Sequence, residues 1–237
     1  MADIRREDRV RGKGYRAEPL GGQALIELAP PSYARLLPAL RALPINHLFA
    51  RAVLEGVADG QVWVNEASNP ALVHVAHPYG MTLLFGEAQA VSMQTLRRHL
   101  HSQASGAEDR WMQVFPADQA KRIAEALDAE VADPSAPPGG PRAQLYTRAN
   151  FRFAPERFAA HDFRAQIPQG MVLRPMNEAD FLLAGVSVSP ACFWRNAAQF
   201  HQNGGGWCIA EGDEVAAIAF SSFRFDDELE IGVETRP

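Results

Sequence analysis

The order helix, strand, strand, strand occurs twice in this chain, and that repetition limits the fold more than any single motif does. In the first occurrence a helix from about His47 to Leu54 ends near Gly56. Strands follow at Gln61 to Asn65, Ala71 to His77 and Met81 to Phe85, with Ser68-Asn69-Pro70 and Pro78-Tyr79-Gly80 as turns. In the second, Ser189-Pro190 opens a helix over Ala191 to His201 that Asn203-Gly204-Gly205-Gly206 ends. Strands then follow at Trp207 to Glu211, Val215 to Phe223 and Glu228 to Thr235, with Gly212-Asp213 as a tight turn. The two runs lie roughly 145 residues apart, which reads as an internal repeat of one α/β unit.

Around these runs the periodicity predicts further elements. A strand at Gln23 to Ala29 precedes a helix opened by Pro30-Pro31-Ser32, with Leu36, Leu37 and Leu40 on one face. After the first meander come a helix over Met93 to His101, a strand at Trp111 to Phe115, a helix from Asp118 to Ala129 with an aspartate cap, and a strand at Gln144 to Phe153. A strand at Met171 to Arg174 and a helix over Glu178 to Leu183, capped by Asn177, lead into the second run. The predicted fold class is α/β, with mixed, mostly antiparallel sheets and flanking helices. Residues 1–22 are charged, glycine-containing and without hydrophobic period, so they read as a mobile arm. Residues 23–164 form a first lobe and residues 165–237 a second, the Pro- and Gly-rich stretch Asp133 to Pro141 being a loop inside the first.

Charge and cysteine usage narrow the function classes. A net charge of -5 offers no clustered basic face for phosphates, so nucleic acid is not an expected partner, whereas a cationic substrate suits the acidic balance. Cys192 and Cys208 are the two cysteines and form no C-x-x-C pair, which argues against a disulfide framework or a cysteine zinc site. His74 and His77 are three apart on a strand, and His99 and His101 two apart on a helix, so neither pair converges on a metal. No signal core follows Met1 and no apolar run reaches the ~18 residues of a spanning helix. The expectation is a soluble cytoplasmic protein with no membrane partner.

Two glycine motifs are weaker than they look. Arg9-Val10-Arg11-Gly12-Lys13-Gly14 fits R-x-x-G-x-G, but no strand precedes it and Pro19, Gly21 and Gly22 bar the helix that should follow. Gly204-Gly205-Gly206 is followed by a strand and no lysine, which makes it a turn.

The final strand carries the candidate chemistry. Leu229, Ile231, Val233 and Thr235 alternate with Glu228, Glu230, Gly232 and Glu234, giving one apolar and one acidic face. A strand, two helices and a three-strand meander resemble the front half of the GNAT superfamily of N-acetyltransferases. More narrowly, Ser189-Pro190, Phe193-Trp194, Gly204 to Trp207, Glu228 to Ile231 and Glu234-Thr235 resemble its zwittermicin A resistance type, in which a degenerate GNAT-like lobe precedes the catalytic one. Gly60 to Asn65 with Asn69-Pro70 is similar to that first lobe. The R/Q-x-x-G-x-G/A loop that follows the fourth strand in GNAT enzymes does not follow here, so the expectation is a C-terminally incomplete, truncated second lobe.

The resemblance implies acetyl transfer from acetyl-CoA, as a co-substrate and without metal, to an amine of a small molecule. Glu230 and Glu234 would be the carboxylates that take the amine's proton. The backbone of Val233, Glu234 and Thr235 would pair with the pantetheine arm, and Phe193 and Trp194 would wall the substrate pocket. The competing readings are a solvated acidic strand face for Glu230 and Glu234 and core packing for Phe193 and Trp194. The alternative function is a non-catalytic GNAT-like binding or scaffold protein that self-associates as a homodimer.

Overall fold

The computed structural model describes residues 24–104, 111–132, 142–144 and 148–236. The basic Arg9–Gly14 motif, the arm and the Asp133–Pro141 loop lie outside those residues. Within them the chain is mixed α/β, built on two sheets of mostly antiparallel strands with flanking helices.

The first sheet has the order β1 (Ile26–Glu27), β2 (Gln61–Val64), β3 (Leu72–Ala76), β4 (Met81–Gly86), β5 (Trp111–Phe115). Its first four strands are antiparallel, and β5 joins β4 in parallel from Met81 against Trp111 to Phe85 against Phe115. Between β1 and β2 the chain makes a 3-10 turn over Pro30–Leu36 and two short helices, α1 (Leu37–Arg41) and α2 (Leu48–Leu54). α3 (Met93–Ala104) and α4 (Ala120–Ala126) flank β5 in sequence. They close the far face of the first sheet, where Leu72 and Leu84 pack against Leu96, Leu100, Ile123 and Ala126.

The second sheet has the order β11 (Glu228–Thr235), β10 (Glu214–Phe225), β9 (Gly206–Glu211), β8 (Val172–Pro175), all antiparallel. A 3-10 turn at Ala179–Leu182, another at Pro190–Cys192 and the helix α6 (Ala197–Asn203) separate β8 from β9. Strand, helical segments and antiparallel meander therefore recur in the same order and direction in both halves. The sheets differ at one edge: β4 has β5 beside it, whereas β11 pairs only with β10 among the described residues.

α2 joins the two halves. All seven of its residues are buried, because it meets β3 and β4 of the first sheet and β10 of the second. One apolar cluster accordingly runs from Val62, Val75 and Phe85 through Phe49 and Val53 to Ile218, Phe220 and Phe223. A helix of this length is marginal alone in water, so its stability comes from this burial on both sides.

Several elements depart from expectation for local reasons. The helix expected over Ala191 to His201 is broken, since the consecutive aromatics Phe193 and Trp194 both turn into the core. The helix restarts at Asn196, whose side chain accepts from the Gln199 amide at 2.8 Å. The Asp118 cap is absent: Pro116 precedes a 3-10 turn over Ala117–Gln119. There the Gln119 amide instead bonds Ala88 N and Gly86 O at 2.6 and 2.7 Å. Asn177 does cap its turn, accepting from Ala179 N at 2.9 Å. Of the strand expected at Gln144 to Phe153, Gln144 is the one described residue in a strand, β7 (Arg142–Gln144), which pairs in parallel with β6 (Glu130–Ala132). Residues 145–147 lie outside the described set, and 148–154 are irregular and lead into the helix α5 (Pro155–Ala159).

Gly232 in β11 is a packing requirement. A Cβ there would stand 2.5 Å from the Phe220 ring and 2.9 Å from Ser222 Oγ. Gly232→Ala is therefore expected to destabilise the chain by about 1–3 kcal/mol through overpacking. Urea denaturation measures it, and an unchanged midpoint would show that Phe220 moves aside freely.

Candidate active site

β11 points its faces the opposite way from a usual outer strand. Leu229, Ile231 and Val233 are 54, 58 and 65% exposed, while Glu230, Gly232 and Glu234 are partly buried on the inner side. The reading of the two glutamates as a solvated face is thus not what the structure shows. The pairing of Ile218 with Glu234 and Phe220 with Gly232 sets this register, because Ile218 and Phe220 are core residues whose side of the sheet β11 must share.

Glu230 reaches across to the first half. Its Oε1 lies 2.6 Å from Arg148 Nη2, and its Oε2 accepts from Asn46 Nδ2 at 3.3 Å. Asn46 Oδ1 in turn accepts from Leu48 N at 3.0 Å, which ties the carboxylate to the start of α2. With its amide oriented to satisfy both neighbours, Gln113 of β5 donates to Asn46 O at 2.8 Å and accepts from Arg148 Nη1 at 3.0 Å. Nearby, Arg51 of α2 holds Asp226 of the β10–β11 turn and Glu55, each at 2.7 Å, with its guanidinium 4.4 Å over the Phe225 ring.

Glu234 has a lighter environment. Its Oε2 accepts from Ser187 Oγ at 2.7 Å. Tyr79, from the turn between β3 and β4, lies 4.6 Å from Phe193 with the rings tilted at 51°. Burial, reinforced by the charges of Cys192 and the Glu234 carboxylate, pushes the Tyr79 phenol up. Arg236 bonds Ala184 O at 2.6 Å and fastens the end of the strand.

Phe193 and Trp194 are both buried, and Trp194 Nε1 donates to Ser221 O at 2.7 Å. Both also line a cavity of about 460 Å³ with Ser222, Phe223, Arg224 and Asp226. They can therefore wall a pocket with their edges while their bodies fill the core. Val233 and Thr235 lie on the strand's apolar face, and the outer edge of β11 that their backbone borders is unpaired among the described residues.

The histidines correct a sequence-spacing argument. Each pair separated along the chain does diverge, yet His74 of β3 and His99 of α3 meet at 2.8 Å, with Trp63 stacked on His74 and edge-on to His99. Spacing within one element cannot report a contact between a strand and a helix. No cluster of three His, Cys, Asp or Glu residues that could hold a metal is found among the described residues.

His77 is buried against Phe193 and Phe223, and burial pulls its pKa down to about 4. Above pH 6.5 both folded and unfolded forms are neutral. As pH falls from 6.5 towards 4, the unfolded chain takes up a proton that the folded chain refuses, so stability drops by about 1.4 kcal/mol per pH unit. His99, lowered to about 4 by the same cause, acts in the same direction. Denaturation at pH 7 and pH 5 measures the slope, and His77→Phe should reduce it to the part that His99 contributes. An equal slope in both chains would contradict the assignment.

The family model for GNAT acetyltransferases matches residues 41–237, most of the chain. The chain belongs to the GNAT acetyltransferase family. Among solved structures it is similar to a GCN5-related N-acetyltransferase-like protein from Streptococcus suis 89/1591, with a TM-score of 0.61 and 16% identity over 88% of this chain and 77% of that one. At that identity the likeness speaks for the fold. A search of curated proteins found no match. Family membership makes acyl transfer the general chemistry of this GNAT chain, and acetyl-CoA is the donor that such enzymes generally use. No described helix is long and apolar enough to cross a membrane.

Asn46, Gln113, Arg148, Ser187 and Tyr79 were not singled out from the sequence. Tyr79 had a signal in its Pro-Tyr-Gly turn, since exposed turn tips often carry function. The other four have none at their own positions, because what selects them is a glutamate far away in the chain.

Proposed function

We propose that this protein is an N-acetyltransferase that moves the acetyl group of acetyl-CoA to an amine of a small cationic molecule, within the zwittermicin A resistance type that its sequence resembles. The observation that carries this is β11: its outer edge has no partner strand among the described residues, and its inner face carries Glu230, bonded to Arg148 and Asn46, and Glu234, bonded to Ser187.

The donor's pantetheine arm, a chain of amides, pairs with the backbone of Val233, Glu234 and Thr235 as an added strand would. When bound it supplies a thioester carbonyl for the amine to attack. An aliphatic amine with a pKa near 10 is about a thousandfold protonated at pH 7, and removing that proton costs about 4 kcal/mol. Glu234, whose bonded partner is the neutral Ser187 hydroxyl, takes the proton directly or through one water. Glu230, already engaged by Arg148 and Asn46, is the better anchor for positive charge and the second candidate base. The two lie four residues apart on one face, about 13 Å along an extended strand. Tyr79, whose phenol burial pushes up, would return a proton to the CoA thiolate as it leaves and take one back from solvent.

The test is release of CoA thiol from acetyl-CoA on addition of a panel of diamines and polyamines to the purified chain. Amine-dependent release, with the N-acetylated product found by mass spectrometry, is the expected result. Thiol release at the same rate without amine would reject acyl transfer to amines.

A further inference from the structure

Two side chains from distant parts of the chain converge on one guanidinium, and a third residue, Asn46, braces both of them. Glu230 of β11 meets Arg148 Nη2 at 2.6 Å, the Gln113 amide oxygen of β5 meets Nη1 at 3.0 Å, and Gln113 is itself held by Asn46 O. Asn46 also donates to the other oxygen of Glu230. A carboxylate and a carbonyl oxygen aimed at two nitrogens of one planar cation form a receptor for that cation's shape as well as its charge.

The two ends of this contact are unequally fixed. The Glu230 side chain is 14% exposed and belongs to a paired strand, whereas Arg148 is 40% exposed and sits in an irregular segment. Arg51 shows the contrast: it lies on a buried helix, is bound by both Glu55 and Asp226, and covers Phe225. Arg51 is part of the core's construction, while Arg148 is a cation docked from outside. Removing Arg148 leaves a shielded carboxylate with Asn46 as its remaining partner among the described residues, a state that calls for another cation.

We propose that the cluster of Glu230, Gln113 and Asn46 is the subsite for a guanidinium-bearing amine, and that Arg148 is its tethered competitor. The acceptor's guanidinium displaces Arg148 and takes over its bonds to Glu230 and Gln113. This names the acceptor class for the acyl transfer proposed above and rests on that reading for the reaction alone, since cation binding needs no donor. A partly exposed ion pair holds its partner by a factor of up to about five, so Arg148 weakens the apparent affinity by about that factor.

The experiment is calorimetric titration of agmatine, without acetyl-CoA, into the wild-type chain, Arg148→Ala and the double variant Arg148→Ala with Glu230→Gln. Putrescine, which has the amine but no guanidinium, is the comparison probe. Arg148→Ala should bind agmatine about fivefold more tightly than wild type, the double variant should lose that gain, and putrescine should gain less. Equal affinity in wild type and Arg148→Ala, or undiminished binding in the double variant, overturns the proposal. Thermal unfolding of the same proteins guards the reading. Guanidinium ion at millimolar concentration should raise the Tm of Arg148→Ala more than that of wild type. A lowered Tm in Arg148→Ala that guanidinium does not restore and Arg148→Lys does would make Arg148 a structural tether, and would also overturn it. Failure of acyl transfer with agmatine binding intact would reject the reaction and leave the subsite standing.

Discussion

Phe49→Ala is expected to lower stability by about 3–5 kcal/mol and to weaken both sheets in a single transition. Phe49 is 0% exposed, in the middle of a helix that is buried on every side. Its cluster holds Val62, Val75 and Phe85 from the first sheet together with Ile218, Phe220 and Phe223 from the second. A cavity there removes contacts from both halves at once, and neither sheet alone can collapse into it because α2 keeps them apart. Ordinary domains have total stabilities of about 5–15 kcal/mol, so such a loss approaches the whole. Chemical denaturation followed by far-UV circular dichroism and by tryptophan fluorescence measures it, with Trp63 and Trp207 reporting from different sheets. A loss below about 1 kcal/mol, or separate transitions for the two probes, would contradict the role given to α2.

Glu234→Gln is expected to cut kcat/KM for acetyl transfer by about 10²–10⁴. Glutamine keeps the shape of the side chain and still offers an oxygen to the Ser187 hydroxyl, so the fold is preserved while the proton acceptor is lost. The remaining rate should climb as pH rises towards the amine's own pKa, because the solution then does the deprotonation that the carboxylate did. Glu230→Gln should act differently, raising KM more than it lowers kcat, as expected for an anchor of the substrate's charge. Steady-state kinetics across pH 6 to 9 distinguish the two. A loss of less than about threefold in Glu234→Gln, or a purely KM effect there, would remove Glu234 as the base.

The legible parts of the sequence were those decided within a few residues. The meander strands at Gln61–Val64, Leu72–Ala76 and Met81–Gly86, and their counterparts at Gly206–Glu211, Glu214–Phe225 and Glu228–Thr235, fall where alternation and turn residues put them. The helix over Ala191–His201 misled because Phe193 and Trp194 satisfy the core better by leaving helical geometry than by keeping it. β11 misled in a more useful way. Its alternation was plain, but which face turns inward depends on Ile218 and Phe220 in the neighbouring strand, and the acidic face is the inner one. The site was half legible for the same reason. Glu230 and Glu234 stand out in a local pattern, whereas Asn46 and Arg148 are joined to Glu230 over 184 and 82 positions of sequence, with Gln113 bridging the two, and no local pattern encodes such a meeting.

The edge of β11 as the donor's binding strand is the claim on which the rest depends, and amide chemical shifts test it most directly. In a titration of the isotopically labelled chain with acetyl-CoA, the amides of Val233, Glu234 and Thr235 should shift most, with those of Glu228 to Gly232 following and those of β1 to β3 unmoved. Saturable shifts confined to other strands, or none along β11, would contradict the account.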